Sequence, residues 1–217
     1  MAKKKQTTKN SIINYYMEYV LEHNKQPTSV YKFASENNFD EILFYEYFSG
    51  FEALEKHIFK VFFENTHKAL SKSKDYDSFS PRNKLLSFYY TFFENLTANR
   101  SYVMYTLSKS KNELKNLTIL SELKKGFGDY IDSLQIETID IPQEKVVKLQ
   151  EKSLRESAWI QFLMTLKFWM EDTSSMFEKT DIFIEKSVNT SFDLLDIKPF
   201  KSIIDFGKFL LKEKVNI

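Results

Sequence analysis

From Ser11 onward the apolar positions fall at helical spacing, and Ile12, Ile13, Tyr16, Tyr19 and Val20 share one face. The polar run from His23 to Pro27 stops that helix. Thr28 or Ser29 is placed to cap a second helix, with Val30, Phe33 and Ala34 facing inward. Asn37-Asn38 predicts a turn, because Asn tolerates the left-handed backbone that a tight turn needs. A third short helix is expected from about Asp40 to Tyr47, with Asp40 as its cap. Ser49 and Glu52 fit a capping box that opens a longer helix through Leu54, Ile58, Val61 and Phe62.

The second half keeps the helical rhythm. Lys72 to Ser80 is polar and predicts a loop, and Pro81 suits the first position of the helix that carries Leu85, Leu86, Tyr89, Phe92, Phe93 and Leu96. Tyr102 to Leu107 and Leu114 to Leu134 continue the pattern, weakest at Gly126 and Gly128. Gln135 to Ile141 is β-branched but short, and nothing near it offers a strand to pair with, so it reads as a connection. Pro142 opens a long helix, about Gln143 to Met170. Asp172-Thr173-Ser174-Ser175 breaks it, and Ser175 with Glu178 makes a second capping box for a helix running to about Leu195. Pro199 opens a last helix through Ile203, Ile204, Phe206, Phe209 and Leu210. No internal repeat and no sustained heptad stands out. The expectation is an all-α chain.

Composition supports this and narrows function. Gly and Pro number only 4 each in 217 residues, too few for the turns of a β-protein. Cys is absent, which excludes disulfides and thiolate metal sites. Aromatic residues make up 16%, with 21 Phe and 12 Tyr, and fill a core or line a cavity. The net charge of +1 gives no whole-molecule field towards nucleic acid. No apolar stretch approaches the roughly 20 residues of a bilayer span, and the start, Met-Ala-Lys-Lys-Lys-Gln, has no apolar run behind it, so a cytoplasmic protein is expected. Lys3, Lys4, Lys5 and Lys9 form a short basic arm, expected to be solvated.

Catalytic chemistry is not legible. There is no phosphate-cradling Gly-rich loop and no Cys nucleophile, and His23, His57 and His67 are too few for a convincing metal set. Glu64-x-x-His67 is half of a di-iron helix motif without its partner. Asp181, Glu185 and Lys186 read as a solvated helix face. No enzyme activity, metal or cofactor is expected.

The stretch TSVYKFASENNFDEILFYEYFSGFEAL, Thr28 to Leu54, resembles the helix-turn-helix of the TetR family of bacterial transcriptional regulators, without a gap. Thr28, Ser29, Val30, Ala34, Tyr45, Tyr47, Phe48, Glu52, Ala53 and Leu54 carry the likeness. The departures lie where DNA would be met: Asp40, Glu41, Ile42 and Leu43 replace Ser-Lys-Gly-Thr, Glu46 replaces an Arg, and Phe51 replaces a Lys. The resemblance implies a three-helix head over 1–55 and a larger helical body over 56–217 that binds a ligand and dimerises. It implies DNA contacts from Thr28, Ser29, Lys32, Tyr45 and Tyr47, helped by Lys4 and Lys5 of the arm. It also implies a pocket for an apolar small molecule walled by Phe88, Phe92, Tyr102, Met104, Tyr105, Phe162 and Trp169. Ile160, Leu163, Phe177, Ile184 and Val188 are apolar residues for a homodimer interface. Two functions follow: a ligand-responsive transcriptional regulator that binds DNA as a homodimer, or a TetR-fold protein that has given up DNA and binds a lipid or other apolar molecule.

Overall fold

The computed structural model describes residues 7–109, 117–136 and 144–196. Among them every regular element is helical and no strand occurs. Helix α1 (Lys9–His23) starts before its apolar face requires, because Thr8 and Ser11 cap it reciprocally: Ser11 N–H donates to Thr8 Oγ1 at 3.2 Å and Thr8 N–H to Ser11 Oγ at 3.3 Å. It ends at Asn24, which takes a left-handed φ of 48°. Of the two candidate caps for α2 (Val30–Glu36), Ser29 serves, its Oγ accepting from Lys32 N–H at 3.2 Å. The expected left-handed Asn in the turn is Asn38, with φ 55°. Asp40 stands at the cap of α3 (Glu41–Tyr47), but its side chain makes no capping bond; the Asp40 carbonyl instead accepts from Leu43 N–H at 2.9 Å. Helix α4 (Phe51–Leu70) starts one residue later than expected, with Gly50 O accepting from Leu54 N–H at 3.1 Å.

Helix α5 (Pro81–Ala98) starts at the expected proline and is followed by α6 (Arg100–Leu107). Helix α7 (Ser121–Ser133) runs unbroken through both glycines. A Cβ on Gly126 would lie 3.0 Å from Phe63 Cε1, so the missing side chain is what lets that ring close in. Helices α8 (Glu144–Glu171) and α9 (Glu178–Asp196) pack on each other, as do α2 and α3, and α1 and α6. The helix expected after Pro199 and most of the connection Gln135–Ile141 lie outside the described residues.

The junction of α8 and α9 corrects the expected cap. Asp172, not Ser175, organises it. Its Oδ2 accepts from Thr180 N–H at 3.0 Å and from Thr180 Oγ1 at 2.7 Å; its Oδ1 accepts from Ser174 N–H at 2.8 Å and Ser174 Oγ at 2.7 Å. A carboxylate has two oxygens for these donors where the Ser175 hydroxyl has one, and its charge suits a helix N-terminus. Burial alone would raise its pKa; the bonds from Ser174 and Thr180 outweigh that and hold it at about 2. The backbone pays with two left-handed residues in a row, Met176 at φ 52° and Phe177 at φ 59°.

The chain divides into two compact units, Met1–Thr66 with Glu94–Gly126, and His67–Phe93 with Phe127–Ile217. In the first, Phe33 is the hub of the three short helices. Its ring centroid lies 6.2 Å from Tyr16, 5.7 Å from Phe39, 6.3 Å from Phe44 and 5.7 Å from Phe51. In the second, Phe162 has that place, 5.3 Å from Phe92, 5.1 Å from Phe127 and 5.1 Å from Trp159. Such ring pairs add about 1 kcal/mol each beyond the area they bury.

Candidate functional site

In the first unit, Thr28 and Ser29 just before α2, Lys32 on α2, and Tyr45 and Tyr47 on α3 are each exposed to solvent. The Ser29 hydroxyl is already committed to its own helix. Lys32 lies 3.8 Å from Glu36, one turn along α2. Beside them Tyr31 is 69% and Ile42 72% exposed, with Glu46 exposed on α3. Between Thr28 and Phe48 the charges are Lys32 against Glu36, Asp40, Glu41 and Glu46, a balance of 1 − 4 = −3. The face is acidic and aromatic. Lys4 and Lys5 lie outside the described residues. Lys9, the last cation of the arm, sits with its Nζ 5.3 Å from the Phe48 ring centroid.

Elsewhere in the first unit, α4 buries a carboxylate. Glu55 is only 3% exposed. It accepts a hydrogen bond from the Tyr16 hydroxyl of α1 and forms an ion pair with Lys109 Nζ, two residues past α6. The Lys109 ammonium also lies 5.0 Å from the Tyr105 ring centroid. Burial, with the Glu55 charge adding to it, pushes the Tyr16, Tyr102 and Tyr105 phenols up, so all three stay protonated. Nearby, His57 approaches Glu122 at 3.5 Å. Burial and the Lys9 charge still lower the His57 pKa, opposed by Glu122, so its ring tends to neutral.

The proposed pocket residues divide between the units. Phe88, Phe92, Phe162 and Trp169 lie in the second unit and are buried; Tyr102, Met104 and Tyr105 lie on α6 in the first. Phe88 stacks on Phe92 at 5.5 Å, and Trp169 joins them through Phe93 at 6.1 Å. Tyr89, stacked on Phe93 at 6.1 Å, holds a buried hydroxyl with no hydrogen-bond partner among the described residues, and burial raises its pKa. His67 lies edge-on to Tyr130 at 4.8 Å, and burial lowers its pKa. Among the described residues no group of three or more His, Asp or Glu could hold a metal ion.

On the outer side of the second unit, α8 and α9 leave an open groove of about 680 Å³. Ile160, Met164, Phe168, Ile182 and Phe183 line it. Gln161 ties its floor by donating to Ser187 Oγ at 3.3 Å and accepting from Ser191 Oγ at 3.1 Å. Ile184 and Val188, two of the residues suggested for an interface, are fully buried inside the unit, because they continue the inward stripe of α9. Their neighbours Ile182 and Phe183 face the groove instead.

Residues 84–210, more than half of the chain, match the family described as the tetracyclin repressor-like C-terminal domain. The chain belongs to the TetR family. No curated protein matches its sequence significantly. The span that matches the TetR body takes in every residue suggested for the pocket wall, from Phe88 to Trp169, and both helices of the outer groove. The all-helical head with its α2–α3 turn precedes that span, as the TetR-like reading of Thr28 to Leu54 requires. Sequence reasoning missed Glu55. It follows Glu52 and precedes Lys56, and the observed Lys56–Glu52 pair at 2.8 Å is the solvated pattern that such a run suggests. The available signal was its spacing: Leu54, Glu55, Ile58 and Phe59 share the buried side of α4.

Proposed function

We propose that this TetR-family chain is a ligand-responsive transcriptional regulator of the cytoplasm that binds DNA as a homodimer. In this reading residues 1–55 read DNA, residues 56–217 hold an apolar small molecule and the dimer interface, and no step is enzymatic. The observation that supports it is the helical pair α2–α3 ahead of a TetR-type body, with Thr28, Ser29, Lys32, Tyr45 and Tyr47 each exposed to solvent. The buried aromatic residues Phe88, Phe92 and Phe162 are of the kind that surround an apolar ligand. The groove lined by Ile160, Met164 and Ile182 suits a second copy, since a two-fold axis makes one apolar face complementary to itself.

A second reading is favoured by one observation, the −3 balance of the reading motif, in which Lys32 is already paired with Glu36. Cations make the phosphate contacts that dominate affinity for DNA. In this alternative the chain binds a lipid or similar molecule and not DNA. Fluorescence anisotropy with random and self-promoter DNA, at low and physiological salt, separates the two. Weak, strongly salt-dependent binding is expected, strengthened by Glu41→Lys with Glu46→Arg. Removing residues 2–9 should lower the salt slope by about 0.9 for each phosphate that the arm no longer neutralises. No binding even at low salt leaves the ligand-binding reading, and light scattering that gives a monomer at micromolar concentration removes the dimer.

A further inference from the structure

We propose that Glu55, Tyr16, Tyr102 and Tyr105 form a binding site for the ammonium group of a small organic amine, with Lys109 as its tethered competitor. The site lies wholly in the first unit and is distinct from the aromatic core of the second. It does not depend on whether the head binds DNA.

A carboxylate this deeply buried needs a cation, and Lys109 supplies one from outside any helix, since α6 ends at Leu107. Lys109 keeps 25% of its side chain in water while the Glu55 side chain keeps 5%, so the ammonium stands on the solvent side of the acid. It can withdraw without unwinding α6. Around the acid are three tyrosines: Tyr16 donates to it, Tyr105 lies under the ammonium, and Tyr102 is close enough to feel its charge. Aromatic faces with one acid are the chemistry that holds an alkylammonium, by cation–π attraction and a charge-assisted hydrogen bond.

Lys109 does not use all that the site offers. The Tyr102 hydroxyl and Thr106 Oγ1 are both buried and close to each other, near enough for Thr106 to temper the rise in the Tyr102 pKa, but their geometry falls short of a full hydrogen bond. A lysine reaching in from the chain brings an ammonium and nothing more. A free amine that carries a second polar group has something for those hydroxyls. Because Tyr16 belongs to α1 and Glu55 to α4, exchanging Lys109 for a free amine alters what joins α1 to the end of α6.

The test is thermal unfolding of the full chain with n-butylammonium chloride, against sodium chloride at equal ionic strength and n-butanol. The amine should raise the melting temperature of the wild type saturably. Lys109→Ala should lower the half-saturating concentration at least about tenfold, because a tethered competitor acts at millimolar effective concentration. Glu55→Gln should abolish the response. Tyr105→Leu should weaken it several-fold, and serves if Glu55→Gln does not fold. No response in either wild type or Lys109→Ala overturns the proposal. A response in Lys109→Ala alone makes Lys109 a permanent strut and also overturns it. So does a response left intact in Tyr105→Leu or in folded Glu55→Gln, which places the amine elsewhere.

Discussion

Glu55 and Asp172 are both buried acids, answered in different ways. The partners of Glu55, Tyr16 and Lys109, come from 39 and 54 residues away. The partners of Asp172, Ser174 and Thr180, lie 2 and 8 residues along the same stretch of chain. One acid is neutralised by a cation from another element; the other is dissolved in amides and hydroxyls at the start of its own helix. The first is a joint between helices that exists only in the folded chain. The second is a cap whose partners all lie within eight residues of the acid.

Removing one partner from each should show the difference. Lys109→Ala leaves the Glu55 charge buried beside a single phenol, and unfolding in urea should report a loss of about 3 kcal/mol, the low end for an orphaned buried charge because Lys109 is partly open to water. Tyr16→Phe keeps the ring and removes one hydrogen bond to a charged group, so about 2 kcal/mol is expected by the same measurement. Asp172→Asn keeps the shape but sets an NH2 against two donors that an oxygen had accepted from, and removes the charge, for about 2 kcal/mol. A cost for Lys109→Ala below that of Asp172→Asn would mean that the distant pair is no stronger than the local cap.

The Asp172 effect carries a pH signature. Its folded pKa of about 2 lies below the ordinary 3.8, so the stability it contributes is present above 3.8 and lost as the pH falls towards 2. The gap between wild type and Asp172→Asn should therefore narrow as the pH is lowered from about 5 to about 2. A gap that stays constant over that range would show that the carboxylate is not held ionised by its donors.

The same contrast explains what could be read from the sequence. The three short helices, the Ser29 cap and the left-handed Asn38 follow from residues a few positions apart, where local rules act. The inward faces of Ile12, Ile13, Tyr16 and Val20 follow from spacing alone. The Glu55 joint was out of reach, because no rule of spacing links position 55 to position 109. The cap of α9 was misplaced by a few residues because Asp172-Thr173-Ser174-Ser175 offers four residues able to cap, and only the path of the chain selects Asp172. For the suggested pocket wall, ring content spoke of burial but not of which rings share a unit; Tyr105 and Phe162 do not.

The turn between α8 and α9 bears on how this sequence can drift. Met176 is 89% exposed and touches little, the usual mark of a position free to vary. Its φ of 52° removes that freedom. Glycine and asparagine accept such a backbone readily, whereas valine, isoleucine and threonine crowd it at Cβ. Mutation at this exposed site is thus filtered by main-chain geometry and hardly by neighbours, so a residue that solvent surrounds on nearly every side has a short list of acceptable substitutes.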